Sequence, residues 1–373
     1  MARFIARQVR SYARTAPSWA VVARGRRKSP LDTTCPRDTS STRSDRAGAA
    51  EFLVGGREVL NQPAALGQDR LYPRTIGKAF FDPLPLDRLE DVRIAGVAFT
   101  GSTATAKRIA RTLVANDDRP IVPLIAETGG VNAMLVDSSA LPEQVVDDVV
   151  ISAFQSAGQR CSAQRILFVD EGIAPRVLQL LAGALAELKV GDAAEPDTDV
   201  GPIIDVQARD SLRRHIEKLR TGSKLIGESA APAEGNYIAP IAFELPLEAL
   251  PRSEVFGPIL HVATYRATEP DRVLQWLRDT GYGLTLGIHS RLQGFVDQVV
   301  REARVGNLYV NRSMIGAVVG VQPFGGEGLS GTGPKAGGPH YLPRFAVERT
   351  LTVNTAAVGG VTELLAGKDQ PAP

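Results

Sequence analysis

The sequence predicts an α/β fold in which helices connect the strands of parallel sheets. From residue 94 onward, short apolar stretches alternate with stretches whose apolar residues recur at helical spacing. Regular strand–helix alternation is typical of parallel sheets with crossover helices. The chain has 373 residues, of which 43% are hydrophobic and 23% charged. That composition supports a sizeable core, and the length favours at least two domains.

The predicted elements begin with a strand at residues 94–99 and a helix at residues 103–114, in which Ala106, Ile109 and Leu113 lie at helical spacing. Further strands are predicted at 121–126, 165–169, 259–265, 284–289 and 307–310, and further helices at 141–155, 174–188, 206–219, 271–277 and 292–303. Residues 349–354 alternate in the manner of one last strand. An edge strand of the main sheet fits that pattern.

Residues 1–90 carry a different signal. The first 50 residues contain 11 lysines and arginines against three acidic residues, although the whole chain has a net charge of only +2. Between residues 29 and 90 Pro, Gly, Ser, Thr and Asp are scattered without periodicity, so we expect poor order. The Arg- and Ser-rich opening fits a transit peptide, a disordered basic tail, or sequence left by an upstream start or frame change. Nothing beyond charge favours a nucleic-acid partner.

The two cysteines, Cys35 and Cys161, do not form a disulfide framework, which favours a reducing compartment and a cytoplasmic location. No apolar run approaches 18 residues, so no transmembrane segment is expected. The four histidines are isolated and lack the spacing of metal ligands, so we predict no metal site.

Cys161 and Glu127 are the candidate catalytic residues. Cys161 closes a short turn after an apolar helical stretch, and the adjacent Arg160 fits either a cation that helps the thiolate or a surface salt bridge. Glu127 precedes Thr-Gly-Gly, and Gly129 and Gly130 would leave its side chain free to swing. A thiol nucleophile and a carboxylate base are what thiol-dependent aldehyde oxidation needs, since the carboxylate activates the water that releases the acid. Taken singly, Cys161 also fits a small buried hydrophobe and Glu127 a solvated turn residue.

Gly101-Ser102-Thr103 follows a predicted strand and opens a predicted helix. Such a turn can seat a phosphate on the helix N-terminus. Ser and Thr are also good N-cap residues, so the motif alone leaves both interpretations open.

Five motifs occur in a fixed order along the chain: Phe-Thr-Gly-Ser-Thr at 99–103, Glu-Thr-Gly-Gly at 127–130, Gly-Gln-Arg-Cys at 158–161, Glu-Val-Phe-Gly-Pro at 254–258 and Pro-Phe-Gly-Gly at 323–326. In order and spacing they resemble the aldehyde dehydrogenase superfamily. Longer stretches around them, together with Asn-Ala-Met at 132–134, resemble one branch, the L-glutamate γ-semialdehyde (pyrroline-5-carboxylate) dehydrogenase module of bacterial proline utilisation A proteins. The resemblance runs from about residue 93 to about residue 355.

The resemblance implies a role for further residues. Cys161 would attack the aldehyde and Glu127 would release the acid, with the backbone N–H of Cys161 as an oxyanion donor. Gly101 and Ser102 would contact the pyrophosphate of NAD. Glu254 would accept hydrogen bonds from the hydroxyls of the nicotinamide ribose, and Phe256 would pack near the nicotinamide. The residues implied for the substrate are Ser162, Gly316 and Ala317 at its carboxylate and Phe324 at its acyl chain.

The resemblance also divides the chain. It implies a remnant of an NAD-binding domain at 91–128, a catalytic domain at 129–330, and a C-terminal segment at 331–373 whose strand would form an oligomerisation flap. Residues 1–90 lack the Pro-Trp-Asn motif that supplies a second oxyanion donor in the superfamily, and the lysine that grips the adenosine ribose. Two hypotheses follow: an NAD-dependent dehydrogenase, or an inactive remnant with an apolar sheet edge exposed at 94–99 and 121–126.

Overall fold

The computed structural model describes residues 94–354 except 116, 118 and 319, together with Leu89, Asp91 and the backbone of three strands at 19–24, 51–54 and 57–58. The strands are, in chain order, β1 Trp19–Arg24, β2 Glu51–Val54, β3 Arg57–Glu58, β4 Ile94–Thr100, β5 Leu124–Glu127, β6 Ala133–Val136, β7 Ile166–Asp170, β8 Lys224–Glu228, β9 Ile241–Glu244, β10 Ile259–Tyr265, β11 Tyr282–Gly283, β12 Thr285–His289, β13 Asn307–Val310 and β14 Glu327–Gly328. The α-helices are α1 Thr103–Val114, α2 Pro142–Phe154, α3 Ala174–Glu187, α4 Val206–Gly222, α5 Pro270–Asp279 and α6 Gln293–Glu302.

Two sheets organise the described residues. The first has the order β3-β2-β1-β4-β5, and the second has the order β13-β12-β6-β7-β10-β9-β8. In the second sheet every neighbouring pair is parallel except β8 and β9, which are antiparallel. The mixed α/β fold with a mostly parallel central sheet is therefore confirmed.

The second sheet contains the larger core. All four residues of β6 and all five of β7 are buried, as expected for parallel strands covered by helices on both faces. A separate, smaller apolar cluster packs α1 against β4 and β5. The sheets change between Glu127 and Ala133, the interval that contains the predicted domain boundary at 128/129.

Helix α1 spans the predicted residues 103–114, and β4 begins at the predicted residue. In the second sheet the prediction missed β6, β8 and β9, and elsewhere it missed β1, β2, β3 and the two-residue strands β11 and β14. Strand β6 has only four residues, all of them buried. It is therefore short, and its apolar and polar residues do not alternate, so periodicity did not reveal it. The strand predicted at 121–126 begins only at Leu124, because Ile121 is fully exposed.

Two expectations about edges differ from the structure. The outer side of β4 is not open, because β1 pairs with it antiparallel from Trp19 to Arg24. Residues 349–354 form no strand, and Leu351 and Val353 are exposed there. The predicted poor order of residues 1–90 lies largely outside the described residues, as does Cys35, and that expectation stays a prediction.

Within the part of the chain that the structure describes, no helix has the length and apolar character to cross a membrane. The same residues contain no cluster of three or more His, Cys, Asp or Glu side chains able to hold a metal ion. Instead, His215 and His261 contact each other, and His289 contacts Asp148 at 3.3 Å.

Candidate active site

The carboxyl ends of β4 and β5 form one side of the site. These strands are parallel neighbours, with Thr100 opposite Glu127, and the backbone N–H of Gly101 donates to the Glu127 carbonyl at 3.1 Å. The predicted phosphate turn and the predicted base therefore leave the sheet side by side.

Ser102 is the N-cap of α1. Its extended backbone lets the side-chain oxygen accept from the Thr105 N–H at 3.1 Å. No acidic residue occupies the first turn of α1, so nothing there repels an anion. Thr103 also donates to the Leu329 carbonyl at 3.1 Å, which joins the turn to the loop after β14.

The Glu127 carboxyl lies in a slot made by glycines. The Gly326 N–H donates to Oε2 at 3.0 Å. A Cβ added to Gly325 would lie 2.7 Å from Oε1, and one added to Gly331 would lie 2.9 Å from Oε2. Only residues without a side chain therefore admit the carboxyl this deeply.

This slot alters the protonation of Glu127. Burial raises its pKa from 4.5 to about 7, against the opposing effects of the Gly326 hydrogen bond and of the Lys335 charge. Oε1 is buried without a hydrogen-bond partner among the described residues. A carboxyl that ionises near neutral pH and has one oxygen to offer is suited to general-base catalysis.

The glycines that follow Glu127 have another role than the sequence indicated. We expected Gly129 and Gly130 to give the Glu127 side chain freedom to swing. The Glu254 carboxylate instead fills the space where a Cβ of Gly129 would be, and the Asn132 amide fills that of Gly130. These two glycines admit neighbouring polar side chains.

Cys161 follows a left-handed turn at the end of α2. Ser156, Ala157 and Gly158 have φ values of 58°, 54° and 64°. Such a run is strained for residues other than glycine, and strain of this kind is typical of functional sites. A Cβ at Gly158 would collide with the Gly257 carbonyl, so the turn packs directly on the loop that carries Glu254.

Asn132 supports this turn, and the sequence interpretation gave it no role. Its buried side-chain amide donates to the carbonyls of Cys161 at 2.7 Å and Ala163 at 2.9 Å, and its Oδ1 accepts from the Thr285 N–H at 3.2 Å. Its side chain thereby ties the nucleophile segment to β12. One signal in the sequence could have indicated this role: Asn132 is an amide residue directly before an apolar run, and it belongs to the Asn-Ala-Met motif that carried the resemblance.

The thiol of Cys161 is mostly buried, and burial raises its pKa, as does the nearby Glu254 carboxylate. The Arg165 guanidinium and the backbone N–H groups of Ser162 and Cys161 act in the opposite direction. Arg160, for which the sequence left support of the thiolate and a surface salt bridge open, donates from Nε to the Ser156 hydroxyl at 3.0 Å. The cation that favours the thiolate is Arg165.

Glu254 lies close to Gly129 and acts on the charge of the Cys161 thiol. Its Oε1 forms an ion pair with Arg165 at 3.0 Å, in which the Arg165 side chain is 1% exposed and the Glu254 side chain 18%. The guanidinium also lies over the Phe256 ring, 5.1 Å from its centroid, and that ring is partly open to solvent. Glu254 thus contacts the Gly129 backbone on one side and is held by the residue that supports Cys161 on the other.

The residues predicted for the substrate occupy two settings. Ser162 is buried next to Cys161, and its carbonyl accepts from the Thr285 hydroxyl at 3.3 Å. Gly316 is exposed with a φ of 76°, a conformation that favours glycine, and Ala317 follows it. Phe324 is half-buried and pairs with Ala336 through two backbone hydrogen bonds. No hydrogen bond joins Ser162 to Gly316 among the described residues.

The comparisons with known proteins show the family of the chain. The family model described as "Aldehyde dehydrogenase family" matches residues 88–351, which is more than half of the chain. The chain belongs to the aldehyde dehydrogenase family. The match includes all ten residues singled out from the sequence.

Among curated relatives, the bifunctional protein PutA of Escherichia coli (strain K12) is 51% identical over 270 residues, covering 69% of this chain and 20% of that protein. The 1-pyrroline-5-carboxylate dehydrogenase of Geobacillus kaustophilus is 38% identical over 232 residues, covering 61% of this chain and 45% of the relative. The chain thus spans about a fifth of the length of the PutA proteins that it matches.

Solved structures give the same assignment. A mutant of Bradyrhizobium japonicum proline utilization A superposes with a TM-score of 0.70 at 58% identity, covering 73% of this chain and 28% of that one. A 1-pyrroline-5-carboxylate dehydrogenase from Thermus, solved with bound NAD, gives a TM-score of 0.65 at 35% identity and covers 69% of this chain and 50% of its own.

Proposed function

We propose that this aldehyde dehydrogenase oxidises L-glutamate γ-semialdehyde to L-glutamate, with NAD as the hydride acceptor. The observation that carries the proposal is the Glu127 carboxyl, which is buried, ionises at about pH 7 and keeps one oxygen without a partner. A structural acid in such a slot would be expected to have both oxygens satisfied.

The chain's own residues supply the covalent chemistry. The Cys161 thiolate attacks the aldehyde carbon, and the backbone N–H of Cys161 would stabilise the oxygen that becomes negative. Loss of hydride from that carbon leaves a thioester on Cys161. Glu127 then accepts a proton from water, whose oxygen attacks the thioester and releases the carboxylic acid and the thiol. The sum is aldehyde, NAD⁺ and water giving acid, NADH and a proton.

The residues present fit three parts of an NAD molecule: the pyrophosphate, a ribose and the nicotinamide. The N-terminus of α1, capped by Ser102 and preceded by Gly101, offers backbone N–H groups to a pyrophosphate. The Glu254 carboxylate, 18% exposed, can accept ribose hydroxyls, and the Phe256 ring is available to a flat nicotinamide. When bound there, NAD would supply the acceptor for the hydride.

Ser162, Gly316 and Ala317 are proposed to hold the substrate carboxylate, with Phe324 against the acyl chain. A small loop with free N–H groups forms an anion nest, and the left-handed Gly316 is typical of one. The names of the relatives support this substrate, since proteins called 1-pyrroline-5-carboxylate dehydrogenase match 61–71% of the chain at 36–38% identity.

Three further predictions accompany the function. Association of copies through the C-terminal segment is supported by the exposure of Val347, Leu351 and Val353. The division into domains at 90/91, 128/129 and 330/331 and the cytoplasmic location stay predictions.

The test is NADH formation from L-glutamate γ-semialdehyde by the purified chain, with Cys161→Ala as the blank. We expect wild-type turnover above the blank, and Glu127→Gln should retain the first release of NADH while accumulating a thioester that mass spectrometry detects at Cys161. An aldehyde of equal length without the carboxylate tests the substrate assignment, since it should react with a higher KM. Wild-type signal equal to that of Cys161→Ala would favour the second hypothesis, an inactive remnant.

A further inference from the structure

Arg165 is the most deeply buried charged side chain at the site, with 1% of its surface exposed. Its guanidinium donates to three acceptors on two loops. Nη1 donates to the Gly158 carbonyl, and Nη2 donates to the Arg160 carbonyl at 2.8 Å and to Glu254 Oε1 at 3.0 Å. Two of these acceptors belong to the turn that ends at Cys161, and the third is the carboxylate proposed to receive a ribose.

The backbone around Arg165 is fixed independently of this side chain. Its N–H donates to the Asn132 carbonyl at 2.9 Å, and its carbonyl accepts from the His261 N–H at 3.0 Å. The His261 Nδ1 also lies 3.0 Å from that carbonyl, so Nδ1 carries the proton and Nε2 accepts from His215 at 2.9 Å. Burial lowers the pKa of His261 to about 3, so this histidine stays neutral. The guanidinium therefore extends from a rigid base.

Stability alone gives little reason for this arrangement. A buried ion pair recovers its desolvation penalty only with good geometry and further hydrogen bonds, and apolar replacements are often as stable. The Arg165 Nε is buried without a hydrogen-bond partner among the described residues, which adds to the penalty. A residue kept under such conditions next to a nucleophile is a candidate for a functional role.

The charges around the thiol explain what Arg165 contributes. The Glu254 carboxylate disfavours the Cys161 thiolate, whereas Arg165 favours it. The third titratable group close by is Tyr309 on β13, whose pKa is raised chiefly by burial, so its phenol is neutral at ordinary pH. Without Arg165, the thiol would therefore face Glu254 without the cation that opposes it among the described residues.

We propose that Arg165 is a positioning residue for the reaction proposed above: it fixes the two carbonyls of the turn before Cys161 and offsets the charge of Glu254 at the thiol. The inference rests on the proposed function for its meaning. Its two physical parts, a fixed turn and a balanced charge, are each measurable without turnover.

Charge balance is tested by the rate of iodoacetamide alkylation at Cys161 against pH, resolved by peptide mass spectrometry so that Cys35 does not contribute. Arg165→Met should move the midpoint of the profile to higher pH and slow labelling at pH 8 by about tenfold, the effect of one lost opposite charge near a thiol. Glu254→Gln should move the midpoint to lower pH. The double variant should return close to wild type, while Arg176→Met, which removes an exposed arginine paired with Glu143, should change nothing.

The turn is tested by hydrogen exchange of the peptide that covers residues 156–163. Arg165→Met and the double variant should exchange faster there, whereas Glu254→Gln should not, because both carbonyls keep their donor. Arg165→Lys separates the two parts, since lysine keeps the charge but cannot reach three acceptors at once. We expect it to leave the alkylation midpoint near wild type and to speed exchange of the turn. It also serves if Arg165→Met gives no folded protein.

A midpoint that does not rise in Arg165→Met and does not fall in Glu254→Gln would overturn the charge role, and unchanged exchange in Arg165→Lys would overturn the positioning role. If wild-type protein forms no NADH but the midpoints move as stated, the proposed function fails and the role of Arg165 at the thiol stands. Full turnover in Arg165→Met with an unchanged alkylation midpoint would support the proposed function and overturn the role of Arg165.

Discussion

The buried Glu127 carboxyl should make the wild-type protein less stable at alkaline pH than a variant that lacks it. Folding raises the pKa of Glu127 from 4.5 to about 7, so the native state holds a proton that the unfolded chain has released. Native protein therefore binds more protons between about pH 4.5 and pH 7, and its stability falls as pH rises through that window. Glu127→Gln has nearly the same shape as the protonated acid and removes this dependence.

The magnitude follows from the two pKa values. At about 1.4 kcal/mol for each pH unit between them, ionising Glu127 in its slot lowers the free energy of unfolding by up to about 3 kcal/mol at pH 8. The Gly326 N–H, 3.0 Å from Oε2, can still donate to the oxygen of a glutamine amide. For the folded region of about 260 residues between 94 and 354, about 3 kcal/mol corresponds to a rise in Tm of roughly 5 °C.

The assay is thermal unfolding of wild type and Glu127→Gln at pH values from 4.5 to 8.5. We expect similar Tm values at the acidic end, an advantage of the variant that widens from about pH 5 to about pH 7, and a constant advantage above that. Glu143→Gln is the matched control, since Glu143 is fully exposed beside Arg176 and its pKa is lowered by that hydrogen bond. An equal Tm for Glu127→Gln and wild type at pH 8 would refute the assignment of burial as the dominant influence on this carboxyl.

Substitutions at three other positions test the packing and hydrogen bonds of the site. Gly158→Ala should lower the free energy of unfolding by more than about 2 kcal/mol, because φ is 64° and a Cβ would meet the Gly257 carbonyl. Chemical denaturation measures this change. An unchanged free energy of unfolding would contradict the packing of the two loops. Asn132→Ala removes the donors to the Cys161 and Ala163 carbonyls. It should lower the free energy of unfolding by about 1–3 kcal/mol and reduce NADH formation. Normal turnover would show that the Asn132 side chain is not needed to hold the turn. Ser102→Ala should lower the free energy of unfolding by about 1 kcal/mol, because the helix loses its N-cap. Ser102→Asp keeps a cap, but its negative charge should weaken NAD binding in calorimetric titration. Equal NAD affinity in Ser102→Asp and wild type would mean that the phosphates bind elsewhere.

Where the sequence interpretation was incomplete, the reasons are physical. Arg160 was one candidate for the supporting cation because it adjoins Cys161, but neighbours along a turn project in different directions. Arg165, five positions after Arg160 and directly before β7, extends back across the turn. Asn132 was passed over because the carbonyls it binds lie about 30 residues away in sequence, and only the parallel pairing of β6 and β7 brings them near.

The sequence by itself determined the alternation of strands and helices, the turn that caps α1, and the family to which the nucleophile and the acid belong. These are properties of local residue order, because hydrophobic period, capping residues and short motifs depend on neighbours along the chain. The tertiary structure alone decided that Glu254 is paired with Arg165, that Asn132 holds the nucleophile turn, and that Glu127 lies in a glycine slot made by residues 325, 326 and 331. Burial and charge pairing depend on which distant segments meet, and those two influences set the ionisation of Cys161 and Glu127.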